Sequence, residues 1–180
     1  RIVTYPTWTD WELFLEAQPI KMDVPSDTFE LLFVGDLTRV KGVDILLEAV
    51  RLLQERGHAV SLRIVGSGRE EQNLKDQMAS LSLEDVIWMG RLSLNDVVSC
   101  VVQCSALIVP SRSEGLGRVA LEAAACRKPA VASDVGGLPD AVVDGETGIL
   151  FRSEDVDALA YAVEYLILKP DEAQALGERG

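Results

Sequence analysis

No apolar run in this sequence approaches the ~18 residues that a membrane-spanning helix needs. Histidine is nearly absent: His58 stands alone, so no credible zinc-ligand set exists. Basic residues are few, with 17 Lys and Arg against 29 Asp and Glu and a net charge of −12. That balance excludes a general role in binding nucleic acid or an anionic membrane, because both need clustered Lys and Arg. A small anionic ligand held by local donors remains open. The cysteines are Cys100, Cys104 and Cys126. Their odd count and the lack of a signal peptide point to a reducing, cytoplasmic setting. Cys100 and Cys104, four apart in an expected helix, read as small apolar core residues.

Several nucleotide and nucleophile signatures are also missing. The expected first strand ends in Gly35-Asp36-Leu37, which fails the dinucleotide fingerprint. The second ends in Gly66-Ser67-Gly68-Arg69-Glu70-Glu71, with Glu where the third glycine belongs. There is no G-x-x-x-x-G-K-[ST] loop and no G-x-S-x-G elbow. No two-residue hairpin turn, internal repeat or low-complexity tract occurs.

What is present is a rhythm. Short, near-continuous apolar runs fall at Leu31–Val34, Leu62–Val65, Val86–Met89, Ala106–Val109, Ala130–Ala132 and Gly148–Phe151, as strands buried on both faces should read. Helical periods lie between them. Val43, Leu46, Leu47, Val50 and Leu53 make one amphipathic stripe, with Gly57 as its stop. Leu74, Met78 and Leu81 mark a second helix, with Glu70 and Glu71 in its first turn. Ser93 and Asp96 make a capping-box-like start for a third, carrying Val97, Val98 and Val101. Val156, Leu159, Ala160, Val163 and Leu166 form the last clear helix, halted by Pro170. This alternation predicts an α/β fold: a Rossmann-like parallel sheet of about six strands with helices on both faces. Residues 31–180 read as one domain. Residues 1–30 are irregular and read as a lead-in, with the start at "RIVTYP" resembling a cut inside a larger protein. Trp8, Trp11 and Phe14 pack either on a part outside the chain or on their own domain.

In such sheets ligands sit at the carboxyl ends of the strands. The loop after the fourth strand, within PSRSEGLGRVALEAAA (110–125), leads into an alanine-rich helix. Strand, glycine loop and helix together aim backbone N–H groups and a positive helix end at an anion. Glu114 and Glu122 bracket it. In one continuous helix eight residues turn about 800°, which leaves the pair about 80° apart. If the helix begins near Gly117, both carboxylates face the space above its first turn. A carboxylate only accepts hydrogen bonds, so the pair beside an anion suits neutral hydroxyls, as in a sugar nucleotide. The alternative is an i, i+4 pair of Glu122 with Arg118 on a solvated face, with Glu114 an ordinary loop residue.

PSRSEGLGRVALEAAACRKPAVAS resembles the E-x7-E segment of retaining glycosyltransferase family 4 enzymes, which have the two-domain GT-B fold. LLFVGDLTRVKGVDILLEAV, LRIVGSGRE, VIWMGRLSLNDVVSCVVQCSALIVPS and DVGGLPDAVVDGETGILF are similar to further segments of that family, in order and spacing, so the likeness runs over roughly residues 3–170. The resemblance implies a carboxy-terminal, donor-binding half of a GT-B enzyme that moves a hexosyl group from a nucleoside diphosphate sugar to an acceptor hydroxyl. It assigns catalysis to Lys41, on the leaving phosphate, and Glu114, on the donor sugar. Gly115, Leu116, Gly117, Arg118 and Val119 would hold the diphosphate, Glu122 the ribose, and the backbone of Arg91 and Leu92 the base. It implies no metal and no cofactor beyond the donor itself. The partner is a missing amino-terminal acceptor domain, which would also carry any membrane contact; this half alone would be inactive.

Three departures stand out. Asp36 occupies the place of a usual Arg, and Arg39 is the candidate substitute. Arg127 replaces a usual glycine. Asp140 replaces a usual Glu. Asp36 also keeps a rival open: a degenerate, non-catalytic domain used for interaction or regulation. An epimerase or phosphorylase on the same architecture is a weaker rival.

Overall fold

The computed structural model describes residues 11–16 and 28–180. Trp8, the side chain of Trp11 and most of the lead-in fall outside the described residues.

Six strands form one sheet: β1 (Phe29–Val34), β2 (Val60–Val65), β3 (Val86–Gly90), β4 (Ala106–Val109), β5 (Ala130–Ser133) and β6 (Gly148–Phe151). Their order is β3-β2-β1-β4-β5-β6, and every pairing is parallel. The helices are α1 (Trp11–Leu15), α2 (Val43–Glu55), α3 (Glu71–Ser80), α4 (Leu94–Gln103), α5 (Arg118–Ala125), α6 (Leu138–Ala141), α7 (Val156–Leu168) and α8 (Pro170–Arg179). No helix of the described residues is long and apolar enough to cross a membrane.

Side-chain alternation along the strands builds two cores. Leu31 and Phe33 of β1 face α2, α3, α7 and α8, where Leu46, Val50, Leu159 and Val163 are fully buried. Leu32 faces the other way, toward Val101 of α4 and Ala120 and Ala123 of α5. The same face holds a buried ion pair, Glu30 of β1 with Arg63 of β2; Arg63 also donates to Gln103 Oε1 at 3.1 Å. Phe14 of α1 is buried against Val98 and Val102, so this aromatic of the lead-in packs on its own domain.

The strands and the stripe on α2 match the sequence reading, and Gly57 follows α2 with a left-handed φ of 86°. Four details differ. Glu70 is the N-cap of α3 and Leu81 its C-cap, so both lie just outside the helix. At α4 the Ser93 hydroxyl accepts from Asp96 N and donates to the Asp96 carboxylate; the short Asp side chain takes this bond in place of a reach back to the Ser93 N–H. Pro170 ends one helix and also opens α8, because the first helical turn does not need the N–H that proline lacks. Four residues of α6 are too few to show a period.

Candidate functional site

The strand order reverses between β1 and β4, so the loops after these strands diverge above the sheet and leave a crevice. A cavity of about 660 Å³ fills it, within the range of small-molecule sites. Val34, Gly35, Asp36 and Lys41 form one wall, and Glu114, Leu116, Gly117, Arg118, Val119 and Glu122 the opposite one. Val65, Gly66, Ser67, Arg91, Leu92 and Val97 close the side toward β2 and β3.

Helix α5 begins at Arg118, with Gly117 as a left-handed N-cap. Its first hydrogen bonds run from Ala120 and Leu121 to the Gly117 carbonyl. The N–H groups of Arg118 and Val119 precede that ladder, at the positive end of the helix. Glu122 opens the second turn and is only 8 % exposed. It lines the cavity, so the solvated-face alternative does not describe it.

Lys41 closes a 3-10 turn, Arg39–Lys41. Its Nζ donates to Glu114 Oε2 at 2.7 Å, and Ser111 Oγ donates to the same oxygen at 3.0 Å. The two residues expected to act on a donor thus hold each other in the free protein. Arg91 Nε donates to Ser67 Oγ at 2.7 Å, which fixes the far rim.

The loops are held by close backbone approach. Gly42 has φ +69°, and a Cβ there would lie 1.9 Å from the Pro110 carbonyl oxygen. Gly136, at φ +56°, stands in the same relation to the Glu114 carbonyl oxygen. No other residue type fits either place without moving the loop that carries Glu114.

Arg112 binds the two walls together. Its Nη1 and Nη2 fork onto Asp44 Oδ1 and Oδ2 at 2.8 and 2.7 Å, Nη1 also donates to the Arg39 carbonyl at 2.6 Å, and Nε donates to Glu154 at 2.8 Å. Its backbone N–H donates to the Val40 carbonyl at 2.7 Å. The Asp44 hydrogen bonds raise the Arg112 pKa further above its ordinary value, against the opposing effect of burial. Burial pushes the Asp44 carboxyl up, but the hydrogen bonds and charge of Arg112 outweigh it and hold the group below the usual range.

Of the eleven residues singled out by sequence, nine line the cavity. Gly115 does not; its carbonyl abuts Gly137. Arg39 does not either: it lines a separate groove of about 240 Å³ with Asp44, Glu70 and Gln77. It therefore does not take the place that Asp36 leaves. Asp36 itself is exposed and lines the cavity. Arg127 adopts φ +57°, so the turn keeps the backbone shape of the expected glycine with an arginine in it. The sequence reading missed Arg112, Ser111 and the lysine–glutamate pair. Ser111 lies three residues before Glu114, a spacing that offered a local hint; the others offered none.

An all-parallel open sheet with a small-molecule cleft at its switch point makes this a Rossmann-like ligand-binding domain, of the kind that forms one half of a GT-B protein. The chain belongs to the family Glycosyl transferases group 1, whose sequence pattern matches residues 16–180. It is 35 % identical over 170 residues to a D-inositol 3-phosphate glycosyltransferase of Thermobifida fusca, covering 89 % of this chain and 39 % of the relative. The sucrose-phosphate synthase of Thermosynechococcus elongatus superposes with a TM-score of 0.85 at 30 % identity, over 95 % of this chain and 44 % of that one. Anabaena HepE, solved in complex with UDP and glucose, superposes with a TM-score of 0.79 at 25 % identity, over 86 % and 42 %. The chain spans about two fifths of the length of the curated relatives it matches.

Proposed function

We propose that the chain is the donor-binding half of a retaining, family 4 glycosyltransferase that works in the cytoplasm and moves a hexosyl group from a nucleoside diphosphate sugar to an acceptor hydroxyl. The observation that carries the reading is the cleft at the switch point, where the start of α5, Lys41, Glu114 and Glu122 converge on one space. The N–H groups at the start of α5 bind the diphosphate, and Lys41 neutralises the charge that grows on it as its bond to the sugar breaks. Glu114 accepts hydroxyls of the sugar, Glu122 those of the ribose, and the Arg91–Leu92 backbone lies against the base. A lysine and a helix end serve here without a metal ion. The family membership and the complex of HepE with UDP and glucose support this assignment.

An amino-terminal domain completes the enzyme, supplies the acceptor and closes the cleft. Its absence from this chain is consistent with the two fifths of each relative that the chain spans. The chain alone binds donor weakly and turns none of it over.

Calorimetric titration of the chain with UDP tests the reading. Binding in the millimolar range or tighter is expected, weakened about ten- to hundredfold in Glu122→Ala, as the loss of hydrogen bonds to a charged group implies. No heat at millimolar UDP, or equal affinity of the variant, would overturn it. Measurable hexosyl transfer by this chain alone would overturn the claim that it is inactive.

A further inference from the structure

We propose that Arg112 is the positioning residue that sets where Lys41 stands opposite Glu114. The inference rests on the donor-binding reading of the cleft. Lys41 is the last residue of a single 3-10 turn, and such a turn does not hold its own shape. Arg112 holds it from both ends. Its guanidinium takes the Arg39 carbonyl two residues before Lys41 and the Asp44 carboxylate three residues after. Its backbone N–H takes the Val40 carbonyl, one residue before Lys41. Because Arg112 lies two residues before Glu114, these bonds tie the distance between the two walls at the point where the lysine and the glutamate face each other.

Glu154 adds an independent sign. It occupies the left-handed region at φ +64°, a conformation that costs a non-glycine residue, and it places its carboxylate on Arg112 Nε. The Arg112 side chain is only 20 % exposed and uses its fork on a carboxylate, so it is more than a loose surface ion pair. Lysine, a point charge with no fork, cannot reproduce these contacts together.

The test pairs a ligand with a ligand-free readout on the 180-residue chain. UDP affinity should fall on the order of tenfold in Arg112→Met and by less in Arg112→Lys. In a Lys41→Met background the same Arg112→Met change should cost almost nothing further, since its effect runs through Lys41. A loss that persists in full in that background, or no loss at all, overturns the proposal. Amide exchange gives the second readout. Residues 38–42 should exchange about tenfold faster in the variant while Leu31–Phe33 of β1 do not change. Unchanged exchange over 38–42 overturns the proposal too, as does acceleration spread evenly over strand and turn, which marks a merely stabilising role. If the unaltered chain binds no UDP, the donor-binding reading falls and the exchange comparison still decides the role of Arg112. Should Arg112→Met fail to fold, Arg112→Lys carries both measurements.

Discussion

At the scale of single residues, the Lys41–Glu114 pair sets the most direct expectation. A phosphate that recruits Lys41 competes with a carboxylate 2.7 Å from the ammonium. The pair is partly exposed, so breaking it costs about 0.5–1 kcal/mol. Glu114→Gln should therefore tighten UDP binding about two- to fivefold by calorimetry, because UDP lacks the sugar that Glu114 is proposed to hold. A weaker complex would mean that Glu114 orients Lys41 toward the phosphate and does not hold it back. Arg127 is a residue whose cost is local. Its left-handed backbone is disfavoured by about 1–2 kcal/mol for a side chain with a Cβ. Glycine relieves that and loses part of the gain to its freer unfolded state. Arg127→Gly should stabilise the chain by about 0.5–1 kcal/mol, seen as a rise in Tm of about 1–4 °C. A fall in Tm would show that the arginine side chain makes contacts that outweigh the strain.

At the scale of elements, the junction of the Arg39–Asp44 and Pro110–Glu114 segments carries a pH dependence. The Asp44 carboxyl is held below its ordinary value in the folded chain. A depressed carboxylate contributes stability that is fully present above the unfolded value of about 3.9 and is lost as the pH falls through the folded value. Scanning calorimetry between pH 5 and pH 3 should show a larger drop in Tm for the unaltered chain than for Asp44→Asn; equal drops would remove Asp44 from the acid response. This junction also marks where sequence reading stops. The six strands were legible because strands covered on both faces are written as unbroken apolar runs, and α2 because its stripe repeats over three turns. The walls of the cleft followed from the rule that ligands bind at strand ends, which pointed to the loops after β1 to β5; the loop after β5, residues 136–139, does not line the cavity. Helix α8 was not legible, because Pro170 reads as a stop and the buried Ala173 and Leu176 are too sparse to show a face. The Lys41–Glu114 and Arg112–Asp44 contacts, 73 and 68 residues apart in sequence, leave no periodic trace. Arg39 looked equivalent to a clamp by its distance from Lys41, and only the 3-10 turn shows that the two side chains line different pockets.

For the whole molecule, charge decides how an anionic ligand is met. The chain carries −12, so its long-range field repels a diphosphate. The cleft itself is balanced: Lys41, Arg91 and Arg118 line it with Asp36, Glu114 and Glu122. Attraction must therefore come from contacts at hydrogen-bond range, chiefly the start of α5 and Lys41. Salt acts unequally on the two. Its screening length shrinks from about 30 Å at 0.01 M to about 8 Å at 0.15 M, which removes distant repulsion and leaves contacts within a few ångströms largely intact. The association rate of UDP should thus rise with salt over that range, opposite to the steep fall of steered binding. Stopped-flow measurement at several ionic strengths decides it, and a steep fall would reveal an attractive field that these charges do not supply. Asp36 is the residue that tests the balance. Asp36→Arg moves the wall by two charges toward positive, to four cations against two carboxylates. It should raise UDP affinity by direct contact, while association still rises with salt because the chain remains strongly acidic. Association that falls with salt in the variant would mean that the local charge of the cleft, and not the acidic bulk of the domain, governs approach.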